Sequence, residues 1–236
     1  MQWQRNRKNM IPLKDDQPTH SFPVATIALI AANIAVFFYQ VSLGHATEAF
    51  VFTYGAIPFN LMHTVESRVP VPAVAMSVFT SMFLHGGFLH LGGNMLYLWI
   101  FGNNIEDVMG RSRFIFFYLI CGIIAVYSHA WFQTQSQIPM VGASGAVSGV
   151  LGAYLLLFPR ARILTLVPLG IIMPIIHIPA VLVLGFWFLA QIGNSLLAPS
   201  GGAGGVAWLA HVGGFVAGMS LIFFFRKTPA RRWHSR

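Results

Sequence analysis

The sequence predicts an all-α polytopic membrane protein with six transmembrane helices, on three observations. Of its 236 residues, 56% are hydrophobic and only 8% charged, against about 25% charged in a soluble domain. The apolar runs are long and do not alternate, which selects helices over a membrane barrel, whose strands alternate over about ten residues. The Lys and Arg residues, 14 in all, fall in alternate loops, with Arg68 alone outside the set.

The elements follow in order. Residues 1–22 read as a polar tail carrying Arg5, Arg7, Lys8 and Lys14. Pro23 to about Leu43 is the first span, too long and too far in for a cleavable signal. Gly44 to about Gly87 is a long loop. Its semi-apolar pieces are too broken by Pro and polar residues to span, so they belong at the interface or against the helices. The second span is about Phe88–Ile105 and the third about Phe114–Phe132. After the polar turn at 133–139 the fourth runs from about Val141 to Phe158. Pro168, Pro174 and Pro179 break the next stretch. It reads as a buried or interfacial connection over 164–177, then a fifth span over 178–197. Ala198–Gly205 is a Gly-rich loop, and the sixth span is about Val206–Phe225. One membrane domain, 23–226, is thus followed by a basic tail, 227–236.

Charge supports this count. The basic set comprises the N-terminal tail, Arg111 and Arg113, Arg160 and Arg162, and the C-terminal group from Arg226 to Arg236. The positive-inside rule then places both termini in the cytoplasm and requires an even number of spans, as in a bacterial cytoplasmic (inner) membrane protein. The net charge of +8 is dispersed over loops and tails, so it does not indicate a nucleic-acid partner. The basic tail is suited to anionic membrane lipid. Cys121, the one cysteine, reads as a small buried hydrophobe.

Parity also aligns the polar residues. The second, fourth and sixth spans run the same way, ending at Glu106, Arg160 and Arg226. Counted back from those ends at 1.5 Å per residue, His90, Ser144 and His211 lie roughly 22–24 Å above the cytoplasmic boundary, with Asn94 about a turn lower. Polar groups at one depth on three helices are a functional-site hypothesis; interhelical hydrogen bonding is the structural alternative.

The chemistry left to such a site is narrow. All six acidic residues lie in tails, loops or at a helix end, which disfavours an intramembrane aspartyl mechanism. There is no H-E-x-x-H, and five-residue spacing does not stack His85 and His90 on one helix face, so no metal is expected. No cofactor is implied. A serine nucleophile with a histidine base remains. Ser144, in Gly142-Ala143-Ser144-Gly145, is near a helix N-terminus, where free N–H groups favour an oxyanion; His90 and Asn94 add donors. Gly145 and Gly149 on the fourth span, and Gly214 and Gly218 on the sixth, let the two backbones approach and bring His211 to Ser144.

These residues resemble the rhomboid intramembrane serine proteases. The pieces that carry the likeness are Gly142–Gly145, Ala210-His211 with Gly214 and Gly218, His90-Leu-Gly-Gly-Asn94, Met82–Gly86, and Glu106 followed by Gly110-Arg111. The resemblance implies a six-helix rhomboid-like bundle with Ser144 as nucleophile and His211 as general base. It implies His90, Asn94 and the Ser144 N–H as oxyanion donors, and Gly142 as the loop position before the nucleophile. Its substrates would be transmembrane proteins, cut near the outer membrane face, often at a small residue. The fifth helix and the loop after it would be gate and cap. Two positions depart from the pattern. Ser148 stands where many bacterial relatives have a tyrosine stacked on the histidine, and Met76-Ser77 where a Trp-Arg pair is common.

The other polar and aromatic residues have plainer readings. His85 suits a loop-to-helix hydrogen bond, and His129 and His177 suit the interface. Trp99, Trp131, Trp187 and Trp208 suit anchoring or packing. Besides the protease, a catalytically inactive rhomboid-like protein that binds transmembrane clients fits the sequence. A transporter fits less well, because no polar path crosses the spans.

Overall fold

The computed structural model describes residues 10–167, 173–197 and 206–227. Arg5, Arg7, Lys8, Pro168, the Gly-rich loop at 198–205 and most of the basic C-terminal tail lie outside the described residues.

Six helices of 14 to 22 residues occupy the six expected spans: α1 (Val24–Ser42), α5 (Phe88–Met109), α6 (Arg111–Phe132), α7 (Ser144–Leu157), α8 (Ala180–Leu197) and α9 (Trp208–Phe225). The expected interfacial loop between the first two contains α2 (Thr47–Tyr54), α3 (Pro58–Met62) and α4 (Val71–Thr80). Four helices, α1, α6, α8 and α9, are long and apolar enough to cross a bilayer, and a bent pair, 71–83 with 88–109, makes a fifth candidate. Such a chain is a multi-pass membrane protein.

The helix α7 is different in kind. At 14 residues it is about 21 Å long, short of a core of about 30 Å. Every residue from Gly145 to Tyr154 is buried. It starts at Ser144, not at Val141, because Gly142 has φ +125°, a conformation that favours glycine and does not continue a helix. Glycine sets how close its neighbour lies. A Cβ on Gly214 would strike the Gly145 carbonyl, one on Gly218 the Gly149 backbone, and one on Gly152 the Phe215 carbonyl. The α7 and α9 backbones therefore touch, as small residues on both helices allow. Cys121 of α6 is buried in the same core.

The cytoplasm-side ends, as the sequence assigns them, are tied by acids. Glu106, 1% exposed, accepts hydrogen bonds from the N–H groups of Ala25 and Thr26 at 3.0 and 2.8 Å and from Thr26 Oγ1 at 2.8 Å. It thereby satisfies donors that the first turn of α1 leaves free, at the positive end of its dipole. This is why α5 continues past Ile105 to Met109. A single residue, Gly110 (φ +81°), then turns the chain into α6, so Arg111 and Arg113 lie inside that helix.

A three-stranded antiparallel sheet adds to the helical bundle. It comprises β1 (Ile11–Asp15), β2 (Arg162–Leu166) and β3 (Ile175–Pro179), in the order β1-β2-β3. Ile11 pairs with Leu166 and Asp15 with Ile163, across a bulge between Pro12 and Lys14; Arg162 pairs with Pro179. Pro12 is tolerated because β1 is an edge. Part of the expected tail and both ends of the expected connection at 164–177 are thus strands; β2 and β3 pair locally across the prolines, whereas β1 joins them from about 150 residues away in sequence, which local pattern could not reveal. Asp15 locks the sheet to the bundle: its Oδ2 accepts from Tyr154 Oη at 2.6 Å and from Asn104 Nδ2 at 2.7 Å.

Candidate active site

Ser144 is the first residue of α7, so its N–H has no partner within the helix. His211 is in the first turn of α9. The glycine contacts between these helices bring His211 Nε2 to 2.8 Å from Ser144 Oγ, a full hydrogen bond. Neither side chain is fully buried.

The segment leading into Ser144 is clamped. Met140 and Ala56 exchange backbone hydrogen bonds at 2.8 and 3.1 Å, and the Gly142 N–H donates to the Ser81 carbonyl at 2.9 Å. The α2–α4 loop thus fixes the approach to the serine.

His90 and Asn94 converge on Gly142 from α5. A Cβ there would lie 2.8 Å from His90 Nε2 and 3.6 Å from Asn94 Nδ2, so any side chain at 142 would displace them. His90 Nδ1 accepts from the Gly86 N–H at 3.3 Å, which leaves the proton on Nε2, the atom facing Gly142. Asn94 Nδ2 is buried with no hydrogen-bond partner among the described residues. Two donors without acceptors among the described residues therefore face the segment just before Ser144, the placement an oxyanion site needs.

The remaining sequence candidates resolve as follows. Gly145, Gly149, Gly214 and Gly218 all lie at the α7–α9 contact. Ser148 does not substitute for a ring: its Oγ donates to the Ser144 carbonyl at 2.6 Å, within α7. Ser77, at the departure in the first loop, likewise donates within its helix, to the Val74 carbonyl. The His85 ring makes no hydrogen bond among the described residues. It packs edge-on against Phe37 and His90, and the loop-to-helix bonds come from its backbone, to Gln40. His177 is exposed on β3.

What supports His211 instead of a residue at 148 comes from elsewhere. Its Nδ1 lies 2.8 Å from Gln191 Oε1 on α8. The Trp187 ring, one turn earlier on α8, is tilted 35° to the imidazole at 5.9 Å, and Trp208 meets it edge-on at 6.1 Å. Sequence reasoning missed all three roles, assigning both tryptophans to anchoring or packing. The signal was available: counted up from Pro179, Gln191 lies about 18 Å into the fifth span, the depth of Asn94, and a buried amide there asks for a partner.

A cavity of about 30 Å³ adjoins the serine, lined by Ser144 with Gly122, Ala125, Gly142, Gly145 and Ala210 among others. It has room for a water or two, and its walls are mostly small residues.

Comparison with known proteins agrees with the motifs. Residues 72–228 match the family model described as Rhomboid domain. The chain is 31% identical to Rhomboid protein 1, mitochondrial, of Saccharomyces cerevisiae over 68% of this chain and 45% of that one. It is 33% identical to Rhomboid protease GluP of Bacillus subtilis over 84% of this chain and 35% of that one. Identity to Rhomboid protease AarA of Providencia stuartii is 31%, over 54% and 48%. The chain spans less than half the length of each of these relatives. With the motif residues gathered in one place and most of its length matched, the chain belongs to the rhomboid family.

Proposed function

We propose that this chain is an intramembrane serine endopeptidase that cleaves transmembrane proteins. The observation that carries the reading is the 2.8 Å contact between Ser144 Oγ and His211 Nε2, within a bundle whose outer surface suits lipid. In this reading His211 takes the proton as Ser144 Oγ attacks the scissile carbonyl carbon. The resulting oxyanion is held by the Ser144 N–H, His90 Nε2–H and Asn94 Nδ2, groups already oriented before reaction. His211 returns the proton to the leaving amine, and a water then hydrolyses the acyl ester by the same route.

The small-walled cavity beside Ser144 suits a small side chain at the cleaved bond and excludes a bulky one. All six long helices cross the membrane in this proposal, with α7 completed by the loop before it, and both termini lie in the cytoplasm. The short α7 then sets Ser144 below the outer face, where the exposed end of a substrate helix can reach it. The domain limits are those read from the sequence, with 11–15 docked on the membrane domain. An inner-membrane location in a bacterium accords with the charge pattern and with the likeness to GluP and AarA.

The test is cleavage of a model transmembrane substrate by the full chain in proteoliposomes, with Ser144→Ala in parallel. The variant is expected to fold and to lose all cleavage, and a fluorophosphonate probe to label the wild type but neither Ser144→Ala nor His211→Ala. Undiminished cleavage by Ser144→Ala would overturn the proposal. A folded wild type without cleavage or labelling would favour the client-binding alternative.

A further inference from the structure

Resting on the serine-protease reading, we propose that Gln191 is a positioning residue: from α8 it fixes the tautomer and orientation of His211.

Gln191 Nε2 donates to the Trp187 carbonyl at 3.2 Å, which leaves Oε1 as the atom 2.8 Å from His211 Nδ1. An amide oxygen only accepts, so Nδ1 must carry the proton. In a neutral imidazole, Nε2 is then a bare lone pair aimed at Ser144 Oγ, 2.8 Å away. That is the form a general base needs. Free imidazole side chains favour the opposite tautomer, with the proton on Nε2, so a ring without this partner would present a hydrogen to the nucleophile. The Trp187 ring beside the imidazole restricts its rotation. One helical turn of α8 therefore supplies both an acceptor and a wall.

The placement of Gln191 reinforces this. Gln191 is 5% exposed, on a helix whose other buried residues are Ala180, Val183 and Leu184. It is the polar member of the α8 inner stripe, and burying an amide is costly unless it is bonded. Only 22% of the apolar window of α8 is buried, the lowest share among the four helices long and apolar enough to cross a bilayer. The helix least held by the bundle thus carries the group that sets the base, so His211 is correctly protonated only when α8 is seated. A carboxylate would do the same work with a net charge, but here its place is taken by a neutral amide.

The test uses the full chain in three forms, wild type, Gln191→Leu and Gln191→Glu, each checked for thermal stability. The first readout is the ¹⁵N tautomer signature of His211, assigned with His211→Gln, in detergent micelles. It should show Nδ1–H in wild type and Gln191→Glu, and a shift to Nε2–H in Gln191→Leu. The second is kinetics on a transmembrane peptide. Gln191→Leu should lower kcat by about 10- to 100-fold, the scale of loss when the hydrogen-bond partner that orients a metal-bound histidine is removed, with KM within about twofold. Gln191→Glu should restore most of kcat and move the acid limb of the pH–rate profile to higher pH, because a carboxylate favours the imidazolium. His90 and His129 are the titratable groups coupled to His211, and both are unchanged in all three forms. Wild-type kcat with the Nδ1–H signature intact in Gln191→Leu would overturn the proposal. If wild type shows no Ser144-dependent cleavage, the protease reading fails, and the tautomer signal still decides the role of Gln191.

Discussion

Substituting Gly218 by alanine tests whether close packing of α7 and α9 sets the Ser144–His211 contact. Glycine to alanine within a helix ordinarily stabilises by about 1 kcal/mol. Here the added Cβ would strike the Gly149 carbonyl oxygen and lie 2.5 Å from the carbonyl carbon and 2.6 Å from the Cα of Gly149. Ordinary carbon contacts begin at about 3.5 Å, so the helices must part by at least about 1 Å. Backbone atoms cannot rotate aside. His211 is two turns away on the same helix, and a rigid shift of about 1 Å would stretch its 2.8 Å bond to about 3.8 Å, past hydrogen-bond range. A displacement of that size costs about 100-fold in rate, and the overpacking costs about 1–3 kcal/mol of stability. The assay is cleavage of a fluorescent transmembrane substrate in proteoliposomes, with a melting curve on the same protein. Gly185→Ala is the control, since a Cβ there meets nothing within 4 Å. A Gly218→Ala protein with wild-type rate and wild-type melting temperature would refute the argument that helix contact positions the pair.

Other outcomes follow from individual residues. Asn94→Ala should lower kcat about 100- to 1,000-fold with little change in KM, the loss expected for one oxyanion donor; an equal change in KM would place Asn94 in substrate binding. Glu106→Gln should lower stability by about 1–3 kcal/mol, because one amide oxygen cannot serve the three donors now bonded to the carboxylate. Faster hydrogen exchange at the start of α1 would accompany the loss. Burial raises the pKa of Asp15 above its ordinary value, against the lowering effect of its hydrogen bond from Tyr154. A raised carboxylate takes up its proton in the folded state first, so folding is favoured as pH falls through that value and levels off below the unfolded one. Wild type should therefore gain stability relative to Asp15→Asn as pH falls from 7 to about 4, the ordinary Asp value, read by thermal denaturation; a gap that widens in the other direction would contradict it.

Much of the helical frame was legible because lipid imposes it. Each long apolar run became a helix, and the ends moved by only a few residues. They moved where a polar residue found a partner the sequence could not show. Glu106 was read as the end of a span, but it caps α1 and is carried inside α5. Val141–Ala143 were read as helix, but Gly142 holds a left-handed turn clamped to Ser81. The β1 strand was illegible for the same reason: Ile11 and Leu166 become neighbours only once the bundle closes.

At the site, sequence alone proposed a chemistry and the residues to carry it. Ser144, His211, His90 and Asn94 could be named from polarity in apolar runs, since lipid makes such residues costly. The glycines that permit helix contact could be named from their spacing. Only the tertiary structure decided what stands behind His211. Ser148 turns back onto its own helix, and the support comes from Gln191 and Trp187 across the gap to α8. A hydrogen bond between side chains 20 residues apart depends on how two helices are turned toward each other. That rotation is fixed by packing over the whole bundle, and no local pattern encodes it.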